Sequence, residues 1–262
     1  MKNIYINGID YYYKDIGKGE EIILFLHGLG TTSSSWLYQI PFFKKKYRII
    51  APDLRGEGRS SLGDTPYSFT LCADDIALLL NKLNIKKVHI CGFSLGGMIA
   101  SQFAVKYPHL LLSICIVNAL PVFNINTLKL KLAYQMRRFI ARFIPLRIII
   151  ILIAWVLFPN HKYLQKRLIR FVSSINKKGY IAALDTMESW NIENEFIKLS
   201  IPTLFIGSQF DYKIFQNKKE TCSKMKNGKY IEIENAHHFV IWEYAKTFNN
   251  TYNKFLNSLT KG

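Results

Sequence analysis

The feature that most constrains this chain is one contiguous stretch, Val88-His89-Ile90-Cys91-Gly92-Phe93-Ser94-Leu95-Gly96-Gly97-Met98-Ile99-Ala100. An apolar run leads into a Gly-x-Ser-x-Gly pentapeptide, and small and apolar residues at helical spacing follow it. The pattern reads as strand, sharp turn, helix. Glycines two before and two after the serine let backbones approach closely, so the Ser94 hydroxyl is expected to project above a sheet from a strained turn. Such a pentapeptide also occurs in ordinary loops. The strand before it and the helix after it are what make it a candidate nucleophile elbow.

The rest of the chain supplies a matching frame. Ile4 to Asn7 and Ile9 to Tyr13 flank Asn7-Gly8, a pair suited to the positive φ of a tight hairpin. Ile22 to Leu26 is a continuous apolar run, as expected of a strand covered on both faces. Tyr47 to Ala51, Ser113 to Asn118, Thr203 to Ile206 and Lys229 to Ile233 are further strand candidates. A helix is expected from about Thr70 to Leu83, with Leu71, Ile76, Leu79, Leu80 and Leu83 on its buried face. Alternating strands and helices predict an α/β protein, with a mostly parallel central sheet and helices on both faces.

Between Pro121 and Lys198 the alternation stops. Leu132, Met136, Phe139, Ile140 and Phe143 recur at three and four residues, which describes an amphipathic helix. The block 121–198 carries net charge +9 of the chain's +17 and is expected to form a basic helical insertion. The core is then residues 1–120 and 199–262. Inside the insertion, Ile148 to Phe158 is apolar, bounded by Pro145, Arg147 and Pro159. It is shorter than the about 20 residues that a membrane span requires, so it fits either a buried helix or one that touches lipid or an acyl chain.

The charge invites a nucleic-acid reading, because a large positive surplus attracts acidic partners. No arginine-rich tract or aromatic-interleaved RNA motif accompanies it, and nucleic acid is not an expected partner. Cys72, Cys91, Cys115 and Cys222 show no metal-ligand or C-x-x-C spacing, and free thiols in a reducing compartment are expected. The start Met1-Lys2-Asn3-Ile4-Tyr5 has no apolar signal region, so the expected location is cytoplasmic.

Four motifs in order now carry a resemblance. His27-Gly28-Leu29-Gly30 follows an early strand, and Asp53-Leu54-Arg55-Gly56-Glu57-Gly58-Arg59-Ser60 follows the next. Gly92-Phe93-Ser94-Leu95-Gly96-Gly97 forms the elbow, and His238 lies near the end. Over nearly its whole length the chain resembles the α/β-hydrolase superfamily, in the branch of small serine hydrolases that holds carboxylesterases, enol-lactonases and the pimeloyl-carrier-protein methyl ester esterase. That superfamily orders its catalytic groups Ser, Asp, His. The resemblance therefore implies Ser94 as nucleophile, Asp211 as the acid after a late strand and His238 as the base. His238 is chosen over its neighbour His237 because Glu243 follows it by five residues, as in similar sequences. The backbone N–H groups of Leu29 and Leu95 are the expected oxyanion hole. His27 is expected to shape its loop, and Asp53, Arg55 and Arg59 to hold a structural turn.

The chemistry implied is hydrolysis of a carboxylic ester or thioester through an acyl-enzyme on Ser94, with no cofactor and no metal. The apolar insertion suggests a small-molecule substrate with an apolar acyl part. Its charge suggests an anionic headgroup, an acidic acyl-carrier protein or an anionic lipid surface, with Arg137, Arg138 and Arg142 as candidate contacts. Aspartate-nucleophile relatives, the haloalkane dehalogenases and epoxide hydrolases, need a carboxylate at position 94. A non-catalytic binding or membrane-surface module on the same fold is the alternative, and a cofactor-free lyase or haloperoxidase could use the same three side chains.

Overall fold

The computed structural model describes residues 1–123, 125–158, 161–170 and 175–259. Its frame is an eight-stranded sheet in the order β1-β2-β4-β3-β5-β6-β7-β8. β1 (Lys2–Ile6) and β2 (Ile9–Ile16) form the expected hairpin, turning through Asn7 at φ 49° and Gly8 at φ 79°. They are antiparallel to each other, and β2 is antiparallel to β4 (Arg48–Pro52). From β4 onward the ladder is parallel, through β3 (Ile22–Leu26), β5 (Val88–Phe93), β6 (Leu111–Val117), β7 (Thr203–Phe210) and β8 (Gly228–His237).

The central strands are continuous apolar runs because both of their faces are covered. Along β3 the side chains divide by period two: Leu24 and Leu26 join one core, Ile23 and Phe25 the other. The first core is closed by α2 (Phe69–Lys82) and α3 (Leu95–Lys106). The second is closed by α1 (Gln39–Phe43), α10 (Val240–Glu243) and α11 (Ala245–Leu259). In α2 the buried face is shifted from expectation. Leu71 and Leu83 are only half-buried, because Phe69, Cys72 and Ala73 fill the contact with the sheet.

Between β6 and β7 the chain leaves the sheet for α4 (Leu128–Phe143), α5 (Leu146–Leu157), α6 (Lys162–Arg170), α7 (Lys177–Met187) and α8 (Glu193–Phe196). A ninth helix, α9 (Lys218–Ser223), lies between β7 and β8. The apolar run Ile148–Phe158 is mostly α5, and Pro159, expected to bound it, lies outside the described residues. No helix among the described residues is long and apolar enough to cross a membrane. In α4, Leu132, Met136, Phe139 and Phe143 are exposed, and Ile140 alone of the amphipathic set packs against the core. All four cysteines are buried and free.

Candidate active site

Ser94 sits between the end of β5 and the start of α3 at φ 53° and ψ −118°. A side-chain-bearing residue in that region is strained, and such strain persists only where its surroundings over-determine it. Here they do: the Ser94 N–H donates to the Val117 carbonyl at 2.9 Å, and its own carbonyl accepts from Gly97 N at 2.8 Å. The flanking glycines are steric necessities. A Cβ on Gly92 would lie 2.2 Å from the Gly96 carbonyl oxygen, and one on Gly96 would lie 2.2 Å from that of Leu26.

The three residues read from the motif order come together. His238 Nε2 lies 3.0 Å from Ser94 Oγ, and His238 Nδ1 lies 2.6 Å from Asp211 Oδ1. A carboxylate can only accept, so Nδ1 carries the ring proton and Nε2 is left to accept from the serine hydroxyl. Asp211 and His238 are buried, whereas Ser94 is half-buried at the floor of a cavity. Strand register explains the meeting. Phe210 on β7 pairs with His237 on β8 after a slip in register, so the next residue of each strand emerges at the same sheet edge. His237 turns the other way. Its ring and its backbone N–H both bond Glu243, at 3.1 Å and 2.7 Å, so the glutamate that marks the motif holds the turn through the neighbouring histidine.

Two bracing residues were not legible in the sequence. Lys218, buried on α9, donates from Nζ to Asp211 Oδ2 at 2.5 Å and to the Phe215 carbonyl at 2.6 Å. Burial pushes the Asp211 carboxyl up, but contact with His238 and then Lys218 outweighs it and holds the group below the ordinary carboxylate value. Asn118, at φ 47° just past β6, donates to the His238 carbonyl at 2.7 Å and accepts from Ser208 N at 3.0 Å. A lysine on a short polar helix and an asparagine after a strand carry no local signature of these roles. Replacing Lys218 by methionine is expected to lower kcat/KM roughly 10- to 100-fold by loosening the carboxylate. A folded variant with parental kcat/KM would make Lys218 only a space filler.

The early loop lies against the serine: a Cβ on Gly28 would be 3.4 Å from Ser94 Cβ, and Leu29 lines the same cavity as Ser94. Leu95 opens α3, where a first-turn N–H has no acceptor within the helix. His27 is buried and shapes this loop. Its Nε2 accepts from Leu54 N at 2.9 Å, so Nδ1 donates, to the Gly28 carbonyl at 3.0 Å. Asp53 caps the backbone at Ser33 and Arg59, and Arg55 is buried in a bidentate pair with Asp75. Neither meets Ser94.

Glu57 ties the second loop to the first by accepting from Gly30 N at 3.0 Å, while its other oxygen meets no protein partner among the described residues. Burial raises its carboxyl from 4.5 to about 8. A carboxyl raised by folding contributes stability fully present below its ordinary value and lost as pH rises through about 8. Glu57→Gln keeps the acceptor without the titration. It should be more stable than the parent by on the order of 3 kcal/mol near pH 7 and should flatten the fall in stability between pH 5 and 8. Denaturant melts across that range check it.

The cavity above Ser94 has a volume of about 740 Å³. Leu29, Phe93 and Met98 line its floor, and Ile140, Ile149 and Ile153 of α4 and α5 line its walls. Of the three arginines expected to meet an anion, Arg138 and Arg142 are ion-paired to Asp185, and Arg138 also to Glu188. Arg137 alone lines the cavity, donating to the Tyr180 hydroxyl at 3.1 Å.

A model of the alpha/beta hydrolase fold family matches residues 21–245. The chain belongs to the α/β hydrolase fold family. This α/β hydrolase is 25% identical to 3-oxoadipate enol-lactonase 2 of Acinetobacter baylyi over 245 residues, 91% of this chain and 90% of that one. It is 33% identical over 113 residues to the dihydrolipoyllysine-residue acetyltransferase component of the acetoin cleaving system of Cupriavidus necator. That match covers 43% of this chain and 30% of the relative, and the chain spans less than half the length of several curated relatives that it matches. In fold, the enol-lactonase of Burkholderia xenovorans LB400 superposes with a TM-score of 0.88 at 20% identity, covering 98% of this chain and all of that one.

Proposed function

We propose that this α/β hydrolase cleaves carboxylic esters or thioesters whose acyl part is apolar, through an acyl-enzyme on Ser94. The observation that carries the reading is the hydrogen-bonded line from Ser94 Oγ through His238 to Asp211 at the floor of an apolar cavity. Ser94 Oγ attacks the carbonyl carbon while its proton passes to His238 Nε2. Asp211 fixes the tautomer and stabilises the imidazolium, and Leu29 N and Leu95 N receive the charge that develops on the carbonyl oxygen. His238 then protonates the departing alcohol or thiol. Water, deprotonated by the same nitrogen, attacks the acyl carbon and restores Ser94 with release of the acid.

Residues 121–198 act as the lid in this reading, and the core is 1–120 with 199–262. Among the described residues Arg137 is the one Lys or Arg lining the cavity, so an ester with an anionic group near the reacting carbonyl is favoured over its neutral counterpart. A panel of esters graded by acyl length and charge tests the proposal. Turnover should rise with acyl length and vanish in Ser94→Ala, and Arg137→Gln should lower the preference for anionic over neutral esters about tenfold. Turnover independent of Ser94 would remove the reading.

A further inference from the structure

The lid leaves an unusual amount of apolar surface in water. On α4, Leu132, Met136, Phe139 and Phe143 lie at spacings of four, three and four, and each is at least 58% exposed. On α5, Leu152, Trp155 and Val156 are at least 63% exposed. Contiguous exposed apolar surface of this kind marks an interaction site on a folded protein. The two stripes are also joined to the candidate active site, because Met136, Ile148 and Leu152 are at once exposed and part of the cavity wall.

Charge identifies the occupant. No acidic residue occurs anywhere from Ile76 to Leu184, while 12 lysines and arginines fall between 121 and 184. Lys129, Lys131, Arg147, Lys162 and Lys166 are exposed and have no ion pair among the described residues. On α6 the Arg167 guanidinium lies 5.5 Å from the centroid of the exposed Tyr163 ring. A second copy of the chain would set this cationic face against itself, which Coulomb repulsion opposes. An apolar stripe flanked by flexible cations, with amphipathic Trp and Tyr rings beside it, matches an interfacial helix lying on an anionic bilayer.

We infer that α4 and α5 dock on an anionic lipid surface, with their exposed side chains in the acyl boundary and the flanking cations at the headgroups, so that the cavity mouth opens into lipid. A lipophilic ester then reaches Ser94 without crossing water, and this delivery step rests on the ester-hydrolase reading, whereas docking does not.

Co-sedimentation of the full chain with vesicles of phosphatidylcholine alone, or mixed with phosphatidylglycerol, tests docking, and Ser94→Ala protein serves to keep it separate from turnover. Binding is expected only to the phosphatidylglycerol vesicles, weakening as salt rises. Lys131→Gln with Arg147→Gln should weaken it about twenty-five-fold, near fivefold for each cation. Phe139→Ser with Trp155→Ser should also reduce binding, and both pairs should hydrolyse a soluble short-chain ester at the parental rate without vesicles. Folded monomer that ignores phosphatidylglycerol vesicles, or binds both kinds equally, overturns the inference. So does a dimer that Trp155→Ser converts to monomer, which would assign the face to a second copy. Vesicle binding by a chain whose Ser94 is inert would leave docking standing and remove the hydrolase reading.

Discussion

Replacing Ser94 by alanine is expected to lower kcat for ester hydrolysis by about a millionfold, with KM and the thermal transition nearly unchanged. The size of the effect follows from how the three side chains depend on one another. Without Oγ there is no atom for His238 Nε2 to deprotonate at 3.0 Å, and the Asp211 contact on the other nitrogen then orients a base with nothing to act on. Removing His238 as well should therefore add little, because groups that act as one unit are strongly non-additive. A residual acceleration of about a thousandfold over water is expected from the donors at Leu29 and Leu95 and from substrate binding alone. The fold should tolerate the change: a smaller side chain at a strained turn removes the hydroxyl's hydrogen bond with His238 and introduces no clash. Steady-state kinetics of Ser94→Ala, His238→Ala and the double variant on one ester measure all of this. Losses that multiply in the double variant would mean that the two residues act separately.

The largest expected effect on stability lies away from the chemistry. Asp75, fully buried on α2, accepts from Arg55 Nε at 2.7 Å and Nη2 at 2.8 Å and from Asn7 Nδ2 at 2.9 Å. One carboxylate thus joins the hairpin turn of β1 and β2, the loop after β4 and the first core. Asp75→Ala leaves the Arg55 guanidinium buried beside the carbonyls of Asn7 and Leu62 with no counter-charge. Removing one partner of such a pair costs about 3–5 kcal/mol, a large share of the 5–15 kcal/mol that holds a typical domain folded. The double variant Arg55→Met with Asp75→Leu should recover most of that loss, because replacing both charges leaves nothing unpaired. Chemical denaturation of the two variants measures the difference. A single variant as stable as the parent would mean that water reaches Arg55.

What the sequence disclosed and what it withheld divide along physical lines. The elbow was legible because its causes are local: an apolar run for a doubly covered strand, and glycines where a Cβ would strike backbone. The hairpin at Asn7-Gly8 was legible for the same reason. Asp211 and His238 could be ordered only through the family pattern, since their meeting depends on the register of β7 against β8, which no local signal encodes. Lys218 and Asn118 could not be found, because each matters through a partner distant in sequence. In α4 the helical period was plain, yet periodicity states only that one face is apolar. That the face of Leu132, Phe139 and Phe143 stays largely exposed in the folded chain is visible only in three dimensions.

The central claim is that Ser94 is a nucleophile activated by His238. Incubating the folded protein with a fluorophosphonate and reading intact mass and peptide maps tests it most directly, because the probe phosphonylates a serine that a neighbouring base activates. The expected result is one adduct, on Ser94, absent from Ser94→Ala and strongly slowed in His238→Ala. A folded parent protein that forms no adduct, or an adduct that persists in Ser94→Ala, would contradict the account.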